Sequence, residues 1–276
     1  MGILAALVIL FGAKAWYDTM RMPVVEQVSI SLEGLPKGNP PLKIVLISDI
    51  HVAGPDMPPS RLEQIVEQIN DLEPDLVLIA GDLVSEKRTA THIYTAEEVV
   101  APLGDLRTNL GVVVVPGNHD HWFGLELLSQ ELRKNGITLL ANDAAQVGPL
   151  AIGGLDDDYT GHADVAKTMS ALEQLKGARL ILTHSPDAVP DLPDSIGLVL
   201  AGHTHCGQIA YPWGGSPATL SRYGQRFACG RIEEGNRTIF VGAGLGTSLL
   251  PMRLFTQPTI WQIELRPPER KAPAGA

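Results

Sequence analysis

Residues 43–51 read Lys-Ile-Val-Leu-Ile-Ser-Asp-Ile-His, a short unbroken apolar run that stops on a polar pair, Asp49 and His51. The same arrangement returns four more times. Leu-Val-Leu-Ile-Ala at 76–80 leads into Gly81-Asp82, and Val-Val-Val-Val at 112–115 into Pro-Gly-Asn-His-Asp at 116–120. Leu-Ile-Leu at 180–182 leads into Thr183-His184, and Leu-Val-Leu-Ala at 198–201 into Gly-His-Thr-His at 202–205. Apolar runs of this length, with no alternation, suit strands covered on both faces. Stretches of helical period lie between them at 61–72, 95–103, 125–135 and 163–175. Strands alternating with helices predict an α/β architecture. In open α/β sheets ligands gather beyond the carboxyl ends of the strands. Here every one of those ends carries a side chain able to bind a metal, which points to a single shared site.

The flanks complete the outline. Residues 24–32 alternate apolar and polar and read as a half-exposed strand; 226–232 and 238–241 flank a hairpin turn at 233–237; 259–265 is a last strand. No linker rich in Pro or Ser divides 42–265. The expected organisation is an apolar segment at 1–22, one domain at 23–267 and a tail at 268–276.

Composition narrows the function. The chain has 276 residues, 45% hydrophobic and 19% charged, with 28 Gly and 21 Pro. That excludes disorder, collagen and coiled coil. Such a length buries about 75% of its unfolded surface, enough for a core without staples. The net charge is −10 and no run of Lys or Arg exists, which argues against a nonspecific grip on nucleic acid. A phosphorylated substrate stays compatible, because bound cations reverse the local field.

The candidate ligands are Asp49, His51, Asp82, Asn118, His184, His203 and His205. Imidazole and carboxylate together suit Mn, Fe, Co or Zn. Seven donors exceed the needs of one tetrahedral ion and suit two ions sharing a carboxylate. Such a pair, about 3.5–4 Å apart, clamps a phosphate and generates hydroxide near neutral pH. In Asp49-x-His51 and His203-x-His205, alternate residues of an extended segment fall on one side. Gly81, Gly117 and Gly202 each precede a candidate ligand, where a missing side chain lets the backbone pack close.

In order and content these blocks resemble calcineurin-like metallophosphoesterases over about residues 42–265. The resemblance implies a four-layer αββα sandwich and a dinuclear centre, with manganese first among the metals; a monomer is expected. Asp49, His51, Asp82 and His205 would hold one ion; Asp82, Asn118, His184 and His203 the other, with Asp82 bridging. A metal-bridging hydroxide would attack phosphorus. His119 would be the catalytic histidine, protonating the leaving oxygen, and Asp120 would orient it.

Finer features are similar to the membrane-associated YkuE/YaeI subgroup: Gly-His-Thr-His-Cys-Gly-Gln at 202–208, Gly-Ala-Gly-Leu-Gly-Thr-Ser at 242–248, Pro-Met-Arg at 251–253, and an apolar N-terminus followed by a strand and Leu35-Pro36. Some relatives cleave UDP-2,3-diacylglucosamine at its pyrophosphate, so a phosphorylated small molecule or lipid is the expected substrate. A nuclease or cyclic-nucleotide phosphodiesterase is the alternative within the superfamily. A non-catalytic scaffold is the alternative of another class, although no ligand is lost. Arg253 and Arg222 are read as partners of a substrate phosphate or of surface carboxylates.

Residues 1–13 are uncharged and apolar but shorter than the ~20 needed to span hydrocarbon. The stretch reaches Tyr17 if Lys14 snorkels. An anchor or interfacial helix, a cleaved signal ending at Ala13-Lys14-Ala15, and a core helix are the three readings. Lys14 and Arg21 follow the apolar run and place the domain on the cytoplasmic side of an inner membrane, with export as the alternative. Cys206 and Cys229 read as free thiols, bridged only if the protein is exported. His121 reads as a rim residue, His92 and His162 as loop residues, and Asp156, Asp157 and Asp158 as a solvated acidic loop.

Overall fold

The computed structural model describes residues 2–38 and 40–268. The tail expected at 268–276 therefore lies, after its first residue, outside the described residues. The chain opens with helix α1 (Gly2–Met20) and strand β1 (Val24–Ser31). Then come β2 (Leu42–Ile47), α2 (Pro59–Asn70), β3 (Leu76–Ala80), α3 (Ala96–Val100), β4 (Val112–Val115), α4 (Asn118–Phe123) and α5 (Leu125–Lys134). The second half holds β5 (Thr138–Leu139), β6 (Asp143–Val147), β7 (Leu150–Gly154), α6 (Val165–Glu173), β8 (Ala178–Leu182), β9 (Leu198–Ala201), β10 (Gly230–Glu234), β11 (Arg237–Val241) and β12 (Thr259–Arg266).

Local chemistry explains the helix limits. Pro59 opens α2, where its fixed φ suits a first helical position. Thr95 and Glu98 form a reciprocal capping box at α3, and Pro102 lies in the 3-10 turn that follows. Asp164 caps α6 by accepting from the Lys167 N–H.

The strands form two six-stranded sheets, ordered β1-β12-β2-β3-β4-β5 and β10-β11-β9-β8-β7-β6. Side chains alternate across each strand and so feed two different layers. Leu46, Leu78 and Val115 of the first sheet meet Ile152, Leu182 and Leu200 of the second in a dry central layer. On the far side of the first sheet, Ile47, Ile79 and Val114 are covered by Ile65 of α2 and Leu128 of α5. On the far side of the second, Ile181 and Val199 are covered by Leu172 of α6 and Val189. The result is the four-layer αββα sandwich. Each fully buried Leu, Ile or Val contributes roughly 1.5–3 kcal/mol.

Helix α1 divides in two. Leu4, Val8, Ile9, Leu10 and Phe11 are exposed, whereas Ala15, Asp18 and Thr19 are buried. The Thr19 carbonyl accepts from Arg61 Nη2 at 2.7 Å, and Thr19 Oγ1 accepts from the Arg253 N–H at 2.7 Å. Asp18 accepts from the Phe255 N–H at 3.2 Å. The end of α1 is thus fastened to the body of the fold, and 1–22 does not separate cleanly from 23–267. Among the described residues, no helix is long and apolar enough to cross a membrane.

Cys206 and Cys229 are joined in a disulfide, which corrects the reading of two free thiols. Cys206 has φ 54°, and this left-handed turn belongs to the loop that brings its Cα to 4.6 Å from that of Cys229. That separation lies within the span a disulfide requires.

Candidate metal centre

The carboxyl ends of the two sheets meet in one place. Asp49 and His51 follow β2, Asp82 follows β3, and Asn118 and His119 open α4 just after β4. His184 follows β8, and His203 and His205 follow β9. All are buried. Asp49, His51, Asp82, His203 and His205 have φ between 49° and 70°. Left-handed backbone at a residue other than Gly costs of order 1–3 kcal/mol each. The surrounding fold holds that strain where the side chains converge.

The convergence has two halves with Asp82 between them. In one, His51 Nε2 lies 3.1 Å from His205 Nε2, and His205 Nε2 lies 3.3 Å from Asp49 Oδ1. In the other, His184 Nε2 lies 3.1 Å from both Asn118 Oδ1 and His203 Nδ1. Asp82 Oδ2 is 3.5 Å from His51 Nε2 and 3.3 Å from His184 Nε2. All seven expected ligands are brought together.

Burial and neighbouring charges shift these groups strongly. Burial, then neighbouring positive groups, keep His51 and His205 well below the ordinary imidazole value, so both are neutral. Two neutral imidazoles facing each other at 3.1 Å can share only one proton, whereas a cation satisfies both lone pairs. Burial pushes Asp49 up to about 6. Asp82 is held far below the carboxylate range despite its burial, chiefly by His184. Burial opposes a charge on His184, but the Asp82 carboxylate raises it well above the ordinary value. His184 Nδ1 donates to the Ala80 carbonyl at 2.8 Å, which leaves Nε2 to face the centre. The donor set suits divalent first-row ions.

The glycines fulfil the role read from their positions. A Cβ on Gly117 would stand 2.2 Å from Asp82 Oδ1, and one on Gly202 would stand 2.6 Å from Asp49 Oδ2.

His119 stands beside this set. Its ring meets His51 edge-on at 4.6 Å, and its N–H donates to Asp82 Oδ1 at 2.9 Å. Nδ1 lies 2.9 Å from Glu86 Oε2, a partner that sequence reasoning missed. Against the cost of burial, the Glu86 hydrogen bond and the Asp82 charge raise the His119 pKa above its ordinary value. The orienting contact expected of Asp120 is thus made by Glu86. Asp120 instead accepts from the N–H groups of Asp82, Leu83 and Gly117 at 2.8–2.9 Å, pinning the β3 and β4 loops together. Burial, then the Asp82 charge, push Asp120 up to about 7.

Other expectations change. Arg253 is fully buried and donates to the carbonyls of Ala243, Gly244 and Gly246, so it is not placed to meet a phosphate. Arg222 pairs with Asp158 at 2.7 Å. The acidic triplet is not a solvated loop: Asp156 and Asp157 are buried. Asp156 pairs with His121 at 2.6 Å, and Asp157 accepts from Thr160. His162 stacks on His121 with ring centres 4.0 Å apart, and His92 is an exposed loop residue against Tyr94.

Two sheets whose strand ends surround a carboxylate with imidazoles define a metal-dependent hydrolase site. The family profile described as Calcineurin-like phosphoesterase matches residues 42–207, and the chain belongs to that family. It is a phosphoester hydrolase with a candidate dinuclear metal site. The chain is 30% identical over 262 residues to an uncharacterized metallophosphoesterase of Helicobacter pylori (strain J99), covering 92% of this chain and 67% of that protein. It is 31% identical over 239 residues to the uncharacterized metallophosphoesterase YkuE of Bacillus subtilis, covering 84% and 82%. A transmembrane protein with metallophosphoesterase domain from Danio rerio is 32% identical over 285 residues, covering 96% of this chain and 61% of that protein.

Proposed function

We propose that the protein hydrolyses a phosphodiester or pyrophosphate bond with a water nucleophile, using two divalent cations held around Asp82. The observation that carries this reading is the position of Asp82 Oδ2, 3.5 Å from His51 and 3.3 Å from His184, between two groups of donors. Asp49, His51, Asp82 and His205 would hold one ion, and Asp82, Asn118, His184 and His203 the other. Such ions supply Lewis acidity and a water acidified to near neutral pH; manganese is our first choice.

The chain's own groups do the rest. Asn118 offers a neutral oxygen and spares the site one negative charge where an anion must enter. Glu86 occupies Nδ1 of His119, which leaves Nε2 to hydrogen-bond a phosphoryl oxygen and to pass a proton to the leaving oxygen. Asp120 keeps the Asp82 and Gly117 backbone in place.

A lipid-linked phosphate such as UDP-2,3-diacylglucosamine is the substrate class the family resemblance suggests. The exposed apolar residues in the first half of α1, which lack a polar face, support an anchor in which that end of the helix dips into a bilayer. The Cys206–Cys229 bridge favours an oxidising compartment, and so the exported alternative over the cytoplasmic side.

The test is hydrolysis of bis-p-nitrophenyl phosphate by manganese-loaded protein. His119→Ala is expected to lose ~10²-fold or more in rate while keeping its metal. Full activity in that variant, or loss of both ions, overturns the assigned role.

A further inference from the structure

The cleft over the metal centre continues past its ligands. His205, Leu220, Ser248 and Leu249 line both this cleft and a second groove of about 250 Å³. Beyond the shared residues the walls are aliphatic, with Ile209, Pro217 and Leu250. Leu249, Leu220 and Leu250 are 68%, 49% and 46% exposed, so folding gains little from placing them together. Clustered exposed aliphatics of this kind mark an interaction site. Leu220 also adopts φ 55°, a costly conformation for a bulky residue.

The groove is built in advance. The Gln208 side chain donates to the carbonyls of Leu250 and Met252 at 3.0 and 2.9 Å and accepts from the Ser248 N–H at 2.8 Å. These bonds tie one wall to the other. His205 and Gly207 of its lining flank Cys206, which is bridged to Cys229. A preformed apolar slot lowers the ordering cost of whatever enters it.

We propose that this groove is the subsite for an aliphatic chain carried by the phosphorus group of the substrate, so that the enzyme recognises amphiphilic phosphoesters. The proposal rests on the phosphoesterase reading above and names the substrate class of that same site. Continuity is the first argument: a phosphate beside His205 places its substituent at Leu249 and Leu220. The second is chemical. A nucleobase in this slot would lose its hydration against aliphatic walls, and each unmatched polar group is costly. The third is the loop itself. Leu249 and Leu250 stand a few residues before Arg253 and Phe255, whose N–H groups receive α1. The apolar helix and the groove therefore share one support, and a bilayer under α1 supplies hydrocarbon chains to the groove.

The experiment is calorimetric binding of an alkylphosphonate series, methyl to decyl and below micelle concentration, to the full-length manganese-loaded protein. Kd is expected to fall roughly fourfold per methylene until the groove is filled, with an increasingly negative heat-capacity change. Leu250→Asp, and independently Leu220→Ser, should flatten that dependence, with circular dichroism confirming that each variant folds. Leu127→Ser on α5 and Phe11→Ser on α1 should retain it. A Kd independent of chain length in the wild type overturns the proposal. So does a dependence that survives both groove variants or disappears in Phe11→Ser, and so does adenosine monophosphate binding more tightly than decylphosphonate. Hydrolysis of p-nitrophenyl methyl phosphate is measured separately. Chain-length-dependent binding without hydrolysis rejects the hydrolytic reading and keeps the groove; hydrolysis with flat binding does the reverse.

Discussion

Glu86 Oε2 lies 2.9 Å from Nδ1 of His119 and fixes the orientation of that imidazole over the metal centre. Glu86→Ala should therefore slow hydrolysis without touching a metal donor. The expected loss is up to ~10²-fold in kcat, the low end of what acid catalysis supplies. Metal content by elemental analysis should equal that of the wild type. An unchanged kcat would return the orienting role to another group.

Asp82 is the only donor shared by both halves of the proposed ligand set. Manganese-loaded wild type should carry two ions per chain, and Asp82→Ala should carry fewer. At most one ion in the wild type, with the same stoichiometry in Asp82→Ala, would reject the shared bridge.

Gly117→Ala tests the close packing at the centre. Its Cβ would fall 2.2 Å from Asp82 Oδ1, which the His119 N–H holds at 2.9 Å, and 2.6 Å from the Asp82 backbone nitrogen. Overpacking should cost roughly 1–3 kcal/mol of stability. It should also weaken metal uptake, read by titration with manganese. Wild-type affinity in a folded Gly117→Ala variant would show that the loops yield more readily than the contacts suggest.

The two parts of α1 should respond differently to deletion. Removing residues 2–12 takes away exposed apolar groups and should leave the melting temperature nearly unchanged. Removing residues through 22 also takes the Thr19 and Arg21 carbonyls from the buried Arg61 guanidinium. Each polar group left unmatched costs about 1–3 kcal/mol, and the melt should fall by several degrees. Equal melts for both deletions would mean that the docking contacts add no stability.

The Cys206–Cys229 bridge closes a loop with a sequence separation of 23. On the chain-entropy account it contributes about 3 kcal/mol. A Cys206→Ser/Cys229→Ser double variant should melt roughly 5–10 °C lower than the oxidised wild type. Reductant should lower the wild-type melt and leave the variant unaffected.

Much of the site was legible because strands buried on both faces must be apolar throughout, so the polar residue ending each run stands out. Asp49, Asp82 and His184 announce themselves in this way. Strands β5–β7 do not: Asp143–Val147 is half-exposed, and Leu150–Gly154 is broken by small residues. Glu86 sits in a loop without period, and only the return of that loop past α4 gives it a role. Arg253 reads as a surface charge until the carbonyls of Ala243, Gly244 and Gly246 enclose it. The carboxylates at 156–158 likewise look solvated, since nothing in their spacing shows that His121, Thr160 and Arg222 come to meet them.

Strand β12 lies between β1 and β2, parallel to the first and antiparallel to the second. On the ribosome this imposes a wait. Gln27 of β1 meets Gln262 of β12 across 235 residues, and among the described residues β1 pairs with no other strand. At 5–20 residues per second, synthesis of the intervening chain takes roughly 10–50 s. Strands β2, β3 and β4 can associate during that interval, while β1 keeps its backbone groups open and α1 has not yet received Arg253. The apolar helix α1 is therefore available to a bilayer or a chaperone well before β12 arrives to close the sheet.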